Sequence, residues 1–77
     1  MEYRLSDRTR VDCLTTTHAI EVEFASKWAE SIGQSLFYSI MTGKKAGVYL
    51  IIERDKDYKY LKRLEIVAKK YNIDIFH

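Results

Sequence analysis

The chain contains no proline and only three glycines in 77 residues. With neither residue to mark a hinge, no linker divides it, and its length holds one domain spanning residues 1–77. A lone cysteine, Cys13, excludes an internal disulfide. That fits a reducing compartment. The opening Met1-Glu2-Tyr3-Arg4 also does not follow a secretory-signal pattern, so a cytoplasmic location is expected. No stretch approaches the roughly 18 apolar residues of a membrane span, and no membrane partner is expected. Charge of one sign is scarce as well: 13 Lys and Arg against 11 Asp and Glu leave a net +2. Such a balance is compatible with a nucleic-acid partner and does not demand one. There is no Gly-rich phosphate loop, no nucleophile elbow and no His/Cys set at zinc-ligand spacing.

What is present is ample apolar character, 47% of residues, which excludes disorder. A domain this small buries only about 60–65% of its unfolded surface, so its stability is modest. Tyr3-Arg4-Leu5, Arg10 to Leu14 and His18 to Phe24 read as three short strands joined by the polar turns Ser6-Asp7-Arg8-Thr9 and Thr15-Thr16-Thr17. In the second, Val11 and Cys13 take one face and Arg10, Asp12 and Leu14 the other. In the third, Ile20, Val22 and Phe24 line one face and Ala19, Glu21 and Glu23 the other. His18 falls with Ile20 and Val22, away from the acids, and reads as a histidine at the core edge. Cys13 reads as packed rather than nucleophilic.

A helix is expected next, with Ser26 as its N-cap and Gly43 as its stop. Trp28, Ala29, Ile32, Leu36 and Ile40 form the stripe that should meet the sheet. Lys27, Ser31, Gln34 and Tyr38 make a second, polar stripe whose side chains can act together. The apolar run Ala46 to Ile52 has the length of a central strand covered on both faces. Asp57 should cap a second helix that buries Leu61, Leu64, Ala68 and Tyr71 and ends at Asn72, and Ile73 to Phe76 closes as a parallel strand. The expected fold is therefore α/β, a mixed sheet with the order β-β-β-α-β-α-β.

The acids carry the chemistry. Asp12 stands inside an apolar strand, and Glu21 and Glu23 share one face of another. Carboxylates held together repel and raise one another's pKa unless a cation lies between them. Oxygen-only ligands suit Mg2+, held by one or two carboxylates, water and a substrate phosphate. The alternative for these residues is a set of surface acids on an open sheet face. Arg4, Arg8, Arg10, Lys44 and Lys45 could contact phosphates around the site, the alternative for Arg10 being a charge partner of Asp12 on the same face. The lysines of the second helix read as a solvated face.

Asp12, a turn, Glu21-Val22-Glu23 and a helix bearing Gln34-Ser35-Leu36-Phe37-Tyr38 together resemble the PD-(D/E)XK nuclease superfamily, and the Q-x-x-x-Y helix resembles its RecB-type branch. The resemblance spans about residues 3 to 52. It implies a restriction-endonuclease-like core and a metal-dependent DNA nuclease that hydrolyses phosphodiesters with Mg2+, or Mn2+ in its place. It also implies that Asp12, Glu21 and the Val22 carbonyl are the metal ligands. Catalysis would then rest on Asp12, Glu21, Glu23 and Lys27, with Gln34 and Tyr38 in support at the DNA. Two departures stand out. Glu23 occupies the usual lysine position, for which Lys27 is the natural substitute, and the helix that normally precedes the first strand is missing. These favour the rival reading, a catalytically inactive module for DNA binding or protein assembly. The uncovered sheet and the ten aromatic residues Tyr, Phe and Trp also lead to an expected homodimer.

Overall fold

The computed structural model describes residues 3–4 and 10–77, with side chains from Val11 onward. The element order is β1 (Tyr3–Arg4), β2 (Arg10–Val11), β3 (Cys13–Leu14), β4 (His18–Phe24), α1 (Trp28–Thr42), β5 (Lys45–Ile51), α2 (Tyr58–Tyr71) and β6 (Asp74–Phe76). Single 3-10 turns, Ala25–Lys27 and Asp55–Asp57, lead into the two helices. The molecule is a small α/β domain in which a four-stranded mixed sheet, ordered β3-β4-β5-β6, carries both helices. β3 runs antiparallel to β4, whereas β5 and β6 run parallel to it. β1 and β2 form a separate antiparallel pair. Leu5 and the turn Ser6 to Thr9 lie outside the described residues.

The strand expected over Arg10 to Leu14 is broken by a bend at Asp12, which splits it into β2 and β3. The bend changes the parity. Val11 is fully buried and packs with Ala19, Tyr38 and Leu14, so Val11 and Leu14 share a core rather than facing apart. The closing strand is parallel, as its alternation implied.

Neighbours in the sheet after β3 are neighbours in sequence, and both crossovers belong to parallel pairs. Crossovers of one hand that step the same way across a sheet leave their helices on the same side. Both helices accordingly pack with Ala46, Val48 and Leu50 of β5, in a core that includes Leu61, Leu64, Ala68 and the flanks of Trp28, Ile32 and Leu36. Among the described residues, no helix covers the other sheet face. Val22, Phe24, Tyr49 and Phe76 are exposed there. β5 is thus covered on one face only, despite its continuous apolar run. Gly47 lies between close neighbours on the bare face: a Cβ there would come within 3.2 Å of Ile20 and 3.3 Å of Phe76.

α1 is rotated from its expected setting. Ile40 is 79% exposed and Ala29 is also exposed, whereas Ser31, Ser35 and Tyr38 are buried. The serines tolerate burial because each hydroxyl donates to its own helix, Ser31 Oγ to the Trp28 carbonyl at 2.6 Å and Ser35 Oγ to that of Ile32 at 3.0 Å. These small serines are fully buried, and Trp28, Ile32 and Leu36 pack at the flank of the helix. Gly43 ends the helix as expected, at φ 69°, with its N–H donating to the Ser39 carbonyl. Asn72 ends α2 likewise at φ 57°. Tyr71 is exposed rather than buried. The expected caps differ. Ser26 lies inside the first 3-10 turn and makes no side-chain cap. The Asp57 carboxylate reaches backward to the N–H groups of Glu53 and Arg54, at 3.0 and 3.2 Å, so it secures the loop before α2.

Candidate functional site

The acids meet where β3 leaves β4. The register pairs Cys13 with Ile20 and Leu14 with Ala19. One further step sets Asp12 beside Glu21, on the face beneath α1. Because β3 ends here, the Val22 N–H has no strand partner on this side. Asp12 Oδ2 accepts it instead, at 2.9 Å. The bend therefore exchanges a ladder bond for a carboxylate and holds that carboxylate against its neighbour.

Glu21 is only 3% exposed, and among the described residues its buried Oε2 has no hydrogen-bond partner. An unpaired buried carboxylate oxygen is costly. Burial is the main force lifting the Glu21 carboxyl to about 8, followed by the Asp12 carboxyl as hydrogen-bonding neighbour and as charge, then by Glu23, with the Val22 amide acting the other way. Glu23 is half-buried, and its Oε1 accepts the N–H of Phe24 at 3.0 Å. Glu23 therefore binds its own strand end while still acting on Glu21 as a neighbouring charge.

Lys27 closes the 3-10 turn at the start of α1, is exposed, and makes no ion pair among the described residues. Tyr38 is 8% exposed and packs with Val11 and Ala19, which turns its side of α1 toward the β2–β3 edge. Lys27, Ser31 and Gln34 stand at helical spacings from Tyr38 and share that side. With Tyr38 level with Ala19, a strand rise of about 3.3 Å against a helical rise of about 1.5 Å brings Gln34 level with Glu21 and Lys27 level with Phe24. Gln34 is exposed and Tyr38 is buried, so the two do not form one exposed polar pair.

Of the expected phosphate contacts, Lys44 donates through Nζ to the Thr15 carbonyl, and Lys45 pairs with Asp74 at 3.1 Å. Both are occupied at the His18 end of β4. The side chains of Arg4, Arg8 and Arg10 lie outside the described residues. His18, on the bare face, joins Thr17 Oγ1 through Nδ1 and Asp74 Oδ2 through Nε2, each at 2.7 Å, and stands edge-on to Phe76. This contact ties β4 to β6 across β5. Strand parity placed His18 on that face, but the offset that delivers Asp74 came from the β5–β6 register. His18 and Lys45 together hold the Asp74 carboxyl below its ordinary value.

Among the described residues, no group of three or more His, Cys, Asp and Glu side chains is arranged around a common metal position. Two hard carboxylates with an orphaned oxygen between strand and helix still match the needs of Mg2+, which completes its shell with water. No helix among the described residues is long and apolar enough to cross a membrane. Comparison of the chain with protein-family models, with curated proteins and with solved structures found no match in any of the three.

Proposed function

We propose that the chain is a minimal metal-dependent DNA nuclease domain of the PD-(D/E)XK type, with a restriction-endonuclease-like core formed by β3, β4, α1 and β5. The observation that carries the reading is the buried, unpartnered Oε2 of Glu21 beside Asp12. A solvated surface acid would be neither buried nor orphaned. Asp12 and Glu21, with the Val22 carbonyl, would hold Mg2+ or Mn2+. When bound, such a cation supplies charge for a phosphodiester and acidifies a coordinated water. Lys27, exposed at the helix start beyond Glu23, would orient the attacking water, and Gln34, exposed on the same side of α1, would support it at the DNA. Tyr38 serves as packing beneath the site.

A second reading, a DNA-binding or assembly module without turnover, is favoured by one specific observation. Glu23 stands where a lysine is usual, and its carboxylate is turned to the Phe24 amide. A cleavage assay on labelled linear, circular and branched DNA with Mg2+ or Mn2+, run beside Asp12→Ala and Lys27→Ala, separates the two. Cutting that needs metal and is lost in Asp12→Ala supports the nuclease. No cutting, with melting still raised by metal, supports the module. If metal changes neither cutting nor melting, both readings fail. The bare sheet face with Val22, Phe24, Tyr49 and Phe76 is the surface on which a second copy would pack, and a monomeric mass at tens of micromolar would refute that homodimer.

A further inference from the structure

The positive charge of this protein is concentrated on one element. α2 carries Lys59, Lys62, Arg63, Lys69 and Lys70 against the single acid Glu65, a net +4. The rest of the chain keeps eight basic and ten acidic residues, a net −2. All five cations are exposed. At about 100° per residue they fall within an arc of about 120°, opposite the buried Leu61, Leu64 and Ala68 and with Glu65 outside it. Neither ion pair among the described residues involves α2. Lys59 and Arg63 flank the ring of Tyr60 at 5.0 and 5.6 Å, which fixes two of the cations along the helix. Like charges at spacings of three and four, such as Lys59 with Lys62 and Arg63, weaken a helix. No ion pair among the described residues relieves them.

We infer that this face of α2 is a docking surface for the phosphate backbone of nucleic acid, bound without regard to sequence. Lys59 and Lys70 are about 16 Å apart along the axis. Duplex DNA presents a charge every ~1.7 Å, so about nine or ten phosphates lie along that length, a field strong enough to replace the missing counter-charges. An anionic membrane is the poorer fit. An interfacial helix needs a free apolar face, and that of α2 is spent in the core, leaving Ile66 alone among the lysines. The surface is separate from the acid pair and needs no metal, so it stands whether or not the domain cleaves.

The test uses the full chain in EDTA, where no cleavage competes with binding. Anisotropy of a fluorescein-labelled 20-bp duplex is read from 50 to 300 mM NaCl for wild type and for Lys62→Gln/Arg63→Gln/Lys69→Gln, with circular dichroism confirming that the variant is folded. Wild type should bind with a log–log salt slope of about −4. The triple variant should bind at least tenfold more weakly at 100 mM NaCl, with a slope near −2. An unchanged affinity and slope in a folded variant overturns the inference. So does tight binding to vesicles containing 30% phosphatidylserine by a wild-type protein that ignores the duplex.

Discussion

Replacing Glu21 by glutamine should stabilise the metal-free protein, and by an amount that grows with pH. Burial and the two neighbouring acids raise the Glu21 carboxyl from 4.5 to about 8. Between those values the folded protein keeps the proton that the unfolded chain has released. The folded state then binds more protons, so wild-type stability falls as pH rises. The penalty is absent below pH 4.5, deepens by about 1.4 kcal/mol per pH unit, and is complete above pH 8. It reaches about 3 kcal/mol at pH 7 and about 4 kcal/mol at pH 8. Total stability for 77 residues is on the order of 4–12 kcal/mol, so the effect is a large share of the whole. Glutamine has the same shape, carries no charge and can donate to Asp12, at a cost of about 1 kcal/mol if one of its N–H groups finds no partner. Urea denaturation in EDTA at pH 5, 6, 7 and 8 reads the difference directly, because groups common to both proteins cancel. The curves should meet near pH 5 and diverge until pH 8. A constant difference across that range would refute the account of Glu21 as a carboxyl strained by burial. At pH 8, added Mg2+ should restore wild type and leave Glu21→Gln unmoved.

Leu64→Ala should cost about 3 kcal/mol in urea denaturation, since Leu64 is fully buried where α2 meets β5. Ser35→Leu should destabilise by about 1–3 kcal/mol, because its site beneath α1 is closed and its hydroxyl is already satisfied. A stabilising leucine there would mean that α1 stands farther from the sheet. Gly43→Ala should cost about 1 kcal/mol through its positive φ, seen as a drop in melting temperature of several degrees. Asp74→Asn should lower stability at pH 7 by no more than about 1 kcal/mol, since the acid is well exposed. That loss should shrink as pH falls below about 4, where the unfolded carboxyl takes up its proton, and vanish only once pH has passed below the depressed value of the folded Asp74.

Much of the architecture could be read from residue order. The parity of Ala19, Glu21 and Glu23 set three side chains beneath a helix, and Gly43 and Asn72 marked both helix ends. What escaped was controlled by contacts distant in sequence. Periodicity favoured the stripe through Ile40, but the buried side of α1 carries Ser31 and Ser35, whose hydroxyls bond within the helix, and Tyr38. The run Ala46 to Ile52 suggested cover on both faces, but the strand order put both helices on one. At the acids, residue type and spacing grouped Asp12 with Glu21 and Glu23, and the structure sets Asp12 beside Glu21. The depth of Glu21 was not legible, nor was the turning of Glu23 toward Phe24, because both depend on where β3 ends.

The short reach of β3 also bears on the order in which the molecule comes together and apart. β4 and β5 are paired along their full length, from His18 with Lys45 to Phe24 with Ile51, and both helices pack on β5. β3 joins them by two residue pairs alone, Cys13 with Ile20 and Leu14 with Ala19. Local opening of that hairpin costs far less than global unfolding. Glu21 belongs to the persistent unit, whereas Asp12 arrives with the latch. The acid pair therefore exists only while the hairpin is closed. Each opening frees the Val22 amide and admits water to Glu21, and amide hydrogen exchange should find Val22 among the first protons of β4 to go.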